Sequence, residues 1–160
     1  MSEASSLRVL VMRHAEKSGD PTDPHLSAAG VSRAVAMADF ILSRYGTPGA
    51  MFAAALSRHS ARSCETLEPL SKKSGVPIDS TFSDQDYSAL AQQILTTRRS
   101  TNAWIVICWH HGNIPSLLNA LRARAGEFPD PWNPQVFNLI LQLDYQDAGS
   151  PRVTEIVEPF

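Results

Sequence analysis

Cysteine is scarce in this chain. Cys64 and Cys108 are the two cysteines in 160 residues, and neither belongs to a Cys-x-x-Cys pair. That excludes a disulfide scaffold and leaves no zinc-ribbon or thioredoxin-type motif. Cys108 lies in an apolar run and reads as a small buried hydrophobe; Cys64 falls in a predicted helix. Both are expected to remain thiols. A basic excess is missing as well: 14 Lys and Arg stand against 16 Asp and Glu, for a net charge of −2. Without a basic tract, neither nucleic acid nor an anionic membrane surface is an expected partner. Long apolar runs are absent, and no stretch approaches the ~20 residues that span a bilayer. The polar stretch Met1 to Ser6 lacks the cationic flank of a signal peptide, so a cytoplasmic protein is expected. The length predicts one domain over residues 1–160, large enough to bury a core without staples.

What is present is an alternation of strand and helix signals. Leu7 to Met12 (LRVLVM) and Trp104 to Trp109 (WIVICW) are short, continuous, apolar runs typical of buried strands. Met51 to Leu56 and Val76 to Phe82 are weaker strand candidates. Between Leu7–Met12 and Met51–Leu56 lies a helix opened by Ser27, with Val31, Ala34, Val35, Ala38, Ile41 and Leu42 at helical spacing and Gly46 and Pro48 at its end. Ser57 to Lys73 predicts a second helix behind a polar turn, closed by Gly75. Ser83 to Arg99 starts as an acidic turn and continues as a helix with Leu90, Ile94 and Leu95 on one face. Ile114 to Arg122 carries Pro115 in its first turn. Val136 to Tyr145 and Arg152 to Val157 are two final strands joined through Gly149, Ser150 and Pro151. The order predicts an α/β fold: a three-layer α/β/α sandwich with a mainly parallel, mixed central sheet, whose last two strands form an antiparallel pair.

Three polar clusters directly follow three of these strands: Arg13-His14, Ser57 to Arg62, and His110-His111-Gly112. Open α/β sheets bind ligands beyond the carboxyl ends of their strands, so parallel strands bring the clusters to one edge. Two arginines and two or three histidines converging there suit phosphoryl transfer. Arginine forks match phosphate oxygens, and a histidine can attack phosphorus. A metal pair at His110-His111 lacks a third ligand at recognisable spacing. Trp104, Trp109 and Trp132 read as core rather than ligand platforms.

Four ordered segments carry a family resemblance. VMRHAEK resembles the Arg-His-Gly/Ala motif that opens the histidine phosphatase superfamily, the phosphoglycerate mutase-like proteins. DPHLSAAGVSRA, SRHSARSCETLEPL and VICWHHGNIPSLL are similar to the family's next three segments, in order, over most of residues 7–121. The resemblance implies that His14 is the nucleophile that becomes phosphohistidine. It likewise implies that Arg13 and Arg62 hold the phosphoryl oxygens and that His111 is the second histidine. No metal or other cofactor is implied. TFSDQDYSAL falls where the family's acid lies, which makes Asp84 the candidate proton donor and Asp86 the runner-up.

The expected function is a metal-independent phosphatase acting on a phosphomonoester or phosphohistidine, with a small phosphorylated substrate or a phosphoprotein as partner. Two alternatives stand beside it. A phosphoglycerate mutase-type transferase fits less well, because the chain is short and lacks the mutase acid pattern. A non-catalytic phosphate-binding module has no need of the intact set Arg13, His14, Arg62 and His111. The loops Gly19–Pro24, Ser80–Tyr87 and Gly126–Pro134 are expected to wall the pocket.

Overall fold

A computed structural model describes residues 6–97, 104–146 and 149–160. Among these residues the order is β1 (Leu7–Arg13), α1 (Ala28–Tyr45), β2 (Ala50–Ala53), α2 (Arg62–Ser74), β3 (Ile78–Asp79), α3 (Tyr87–Thr97), β4 (Trp104–Trp109), α4 (Ile114–Ala120), β5 (Leu139–Tyr145) and β6 (Arg152–Val157). The strands form one sheet in the order β3-β2-β4-β1-β5-β6. β3, β2, β4 and β1 are mutually parallel; β5 runs antiparallel to β1, and β6 to β5.

Side-chain alternation along the central strands makes two cores, because successive residues face opposite sides of the sheet. Leu7, Val9 and Val11 of β1 join Leu90, Ile94, Ile114 and Leu117 of α3 and α4 in one cluster. Leu10 and Met12 face the other way and pack with Met37, Ile41, Leu67 and Leu70 of α1 and α2. The expected three-layer sandwich is therefore observed, with its mixed sheet. Trp109 and Trp132 are buried, Trp104 packs against Tyr45, and both cysteines are free. No helix among the described residues is long and apolar enough to cross a membrane.

Several boundaries differ from the sequence expectation. β2 stops at Ala53 although the apolar residues continue to Leu56, which is 64% exposed. β3 shrinks to two residues at the sheet edge, where Pro77 precedes it and cannot donate to a ladder. α2 starts five residues later than expected: Ser57 to Ala61 form a turn in which the Ser57 hydroxyl accepts from the His59 and Ser60 amides. Its end is as expected, with Gly75 in the left-handed conformation at φ 77°. β5 begins at Leu139, three residues late, and Arg99 lies outside the described residues.

Candidate active site

The carboxyl ends of β1, β2 and β4 open onto a cleft of about 710 Å³. Arg13, His14, Arg62, Asp84, His110 and His111 all line it, so each of the sequence-derived site residues reaches the same cavity. Asp86, Lys17 and His59 also line it. Sheet pairing explains the convergence. Arg13 is paired with Trp109 across β1 and β4, and the His14 amide extends the ladder by donating to the Trp109 carbonyl at 3.2 Å. The next residue on each strand is therefore a histidine. The rings of His14 and His110 meet edge-on, 5.5 Å apart between centroids.

His14 is 2% exposed, and its Nδ1 lies 2.7 Å from the Ala15 carbonyl oxygen. A carbonyl can only accept, so Nδ1 carries the proton and donates it, leaving the Nε2 lone pair free. Burial holds the His14 pKa down at about 3; the bond to Ala15 opposes this, and the charges of Arg13, His110 and Arg62 add to the fall. The imidazole is thus neutral at physiological pH. The turn beyond it is clamped. Ala15 N donates to Thr66 Oγ1 at 2.9 Å, and Thr66 Oγ1 in turn donates to the Arg62 carbonyl at 2.7 Å. One hydroxyl of α2 thereby ties the His14 and Arg62 segments together.

Arg13 is 3% exposed. Its Nη1 donates to the Pro134 carbonyl at 2.5 Å, and its guanidinium lies 4.0 Å from the Phe137 ring centroid. Burial, then repulsion from Arg62, lowers its pKa to about 10, still cationic at pH 7. Arg62 Nη1 donates to the Asp23 carbonyl at 2.7 Å. The Nε atoms of both arginines are buried with no hydrogen-bond partner among the described residues. Two guanidiniums with buried, unspent Nε donors suit an anion, since buried polar groups are rarely left orphaned.

The two acid candidates are held differently. Asp86 Oδ2 accepts from the Ser83 hydroxyl at 2.7 Å and the Ser83 amide at 3.3 Å, so it braces the turn before α3. Asp84 is anchored from behind: Trp109 Nε1 donates to its backbone carbonyl at 3.0 Å, and Asn113 Nδ2 to its Oδ2 at 2.9 Å. Its Oδ1 is buried and has no partner among the described residues.

Loop roles differ from the expectation. Of the three expected walls, only residues 80–87 line the cleft, through Ser83 to Asp86. The loops at 19–24 and 126–134 act from behind, through the Asp23 and Pro134 carbonyls that hold Arg62 and Arg13. The second wall is Ala55 to Ser60 instead. Phe137 under Arg13 and the brace through Thr66 escaped sequence reasoning, because both are contacts between distant elements without a local signal. Glu16 does not line the cleft; it accepts from Arg33 Nε at 2.8 Å, and Arg33 also pairs with the buried Glu158.

No family model matches the sequence, and no curated protein matches it. Solved structures do. The protein histidine phosphatase SixA, complexed with tungstate, is 15% identical with a TM-score of 0.69 over 94% of this chain and 96% of that one. A phosphoglycerate mutase from Plasmodium falciparum is 13% identical, TM-score 0.69, over 98% and 94%. A mycobacterial glucosyl-3-phosphoglycerate phosphatase is 17% identical, TM-score 0.60, over 94% and 97%. These likenesses span nearly the whole of each chain, and this protein shares the fold of those phosphatases and that mutase.

Proposed function

We propose that the protein is a phosphatase that works through a phosphohistidine intermediate on a phosphomonoester or phosphohistidine substrate, without a metal. The observation that carries this reading is the state of His14: neutral, its Nδ1 proton committed to the Ala15 carbonyl, its Nε2 free in a cleft with two guanidiniums whose Nε atoms are buried and unpartnered among the described residues. The neighbours' substrates, phosphohistidine-type and phosphoglycerate-type, are consistent with it.

The steps follow from the chemistry. Nε2 of His14 attacks phosphorus in line with the leaving group. A P–N bond forms, and the bond from phosphorus to the leaving oxygen or nitrogen breaks. Arg13 and Arg62 balance the charge on the phosphoryl oxygens, the role a metal ion plays elsewhere. A histidine at the end of β4 donates to the same group. Asp84 Oδ1 gives its proton to the leaving alcohol, since it is the carboxyl oxygen that nothing else uses. Asp84 then takes a proton from water as that water attacks the phosphohistidine. Inorganic phosphate departs, and His14 is restored.

Hydrolysis of an aryl phosphate by wild-type protein and the His14→Ala variant tests the reading. Turnover should fall by about 10⁴-fold or more, as for loss of a nucleophile, and a chelator should leave wild-type turnover unchanged. Equal rates in the two proteins would sink the proposal. An isomerised phosphorylated product in place of free phosphate would favour the mutase, whose fold this chain shares.

A further inference from the structure

The His110-His111 pair offers two rings for one role, and the motif resemblance points to His111. The geometry points to His110: we propose that His110 is the histidine that donates to the transferring phosphoryl group, while His111 stands at the outer lip of the cleft. The inference rests on the phosphatase reading and deepens it.

Register is the first argument. β1 and β4 are parallel, with Arg13 opposite Trp109, so His14 and His110 leave the sheet side by side. The second is the ring contact, 5.5 Å between centroids at an interplanar angle of 68°. A phosphoryl group carried on His14 Nε2 then lies against the His110 edge, where a ring N–H can donate to its oxygen. The third is the electrostatic surroundings. His110 is faced by Asp84, Arg62 and Arg13, the groups around the reaction centre. Burial pushes its pKa down, which Asp84 opposes, and an imidazole keeps at least one N–H to donate in either protonation state. His111 is faced by Arg13, Lys17, His110 and Asp84 but not by Arg62, and it belongs to the turn that leads into α4 rather than to the end of the ladder.

The arrangement assigns different kinetic signatures. A donor that touches the phosphoryl group acts on kcat, and its loss costs about 10²- to 10³-fold there. A group on the lip acts on substrate capture and shows in KM. With an aryl phosphate, His110→Ala should lower kcat by about 100-fold or more at little change in KM. His110→Gln, which keeps an N–H donor, should recover part of that loss. His111→Ala should raise KM and lower kcat by less than about 10-fold. The reverse ranking of the two alanine variants overturns the proposal.

A second measurement needs neither variant to fold nor the enzyme to turn over. Tungstate, a tetrahedral oxyanion, is titrated into ¹⁵N-histidine-labelled wild-type protein, and the ring signals are followed by NMR. The His14 and His110 rings should shift together along one binding curve, with His111 shifting less. His111 moving with His14 while His110 stays still overturns the proposal, and so does a titration in which no ring moves. Equal hydrolysis by wild-type and His14→Ala protein would instead remove the phosphatase reading, leaving the titration to decide which ring meets the anion.

Discussion

Acidification probes His14 without any substrate. In an unfolded chain its imidazole titrates near 6.5, whereas in the cleft burial holds the pKa at about 3. A depressed histidine makes the unfolded chain the better proton binder. Its contribution to stability is therefore complete above pH 6.5 and is lost as the pH falls toward 3. At pH 4 the fold has given up roughly 2.5 pH units of that gap, about 3 kcal/mol. Because the side chain is 2% exposed, solvent screening reduces this little. The assay is urea unfolding of wild-type protein and the His14→Gln variant in steps from pH 7 to pH 4, followed by tryptophan fluorescence. The carboxylates are common to both proteins and cancel in the difference. Wild-type stability should fall by about 3 kcal/mol more than that of the variant across the range. Parallel curves would refute the reasoning and show that His14 is not held in its neutral form by the fold.

Gly30 of α1 touches the turn after His14: a Cβ there would stand 2.2 Å from the Glu16 carbonyl oxygen. Gly30→Ala should cost about 1–3 kcal/mol in thermal unfolding, as overpacking does, and slow turnover by moving the turn. Thr66→Val leaves the buried Ala15 amide without an acceptor; a loss of about 1–3 kcal/mol is expected by urea titration. Asp84→Asn should lower turnover of an alkyl phosphate by about 10²- to 10⁴-fold and of a nitrophenyl phosphate far less, because the better leaving group needs no proton. Asp86→Asn should show mainly as lost stability, since that carboxylate braces Ser83.

The layered fold was legible because β1 and β4, the two central strands, are also the two most continuous apolar runs, and because Ser27, Gly75 and Pro115 punctuate the helices where they should. Edges were less legible. Ala54 to Leu56 reads as more strand, yet the chain has already left the sheet, and composition does not register the lack of a partner strand. Within the site, Arg13, His14 and Arg62 stood out by residue type and by position after strands. That Asp84 rather than Asp86 holds a buried, unpartnered oxygen depends on Asn113 and Ser83, contacts that no spacing encodes. The choice between His110 and His111 depends on the register of two strands about a hundred residues apart. A motif aligned on Gly112 points to His111, and only the register sets His110 beside His14.

The hold of Pro134 on Arg13 carries a consequence for synthesis. The guanidinium waits on a carbonyl 121 residues further along the chain, and β1 itself lacks one neighbour until β5 arrives. Contacts of such separation form late, after long loops have closed. In a chain emerging from the ribosome His14 appears well ahead of Pro134, and the cation beside it is seated only once Pro134 has been made. The half-built protein thus carries His14 before the cleft around it is complete.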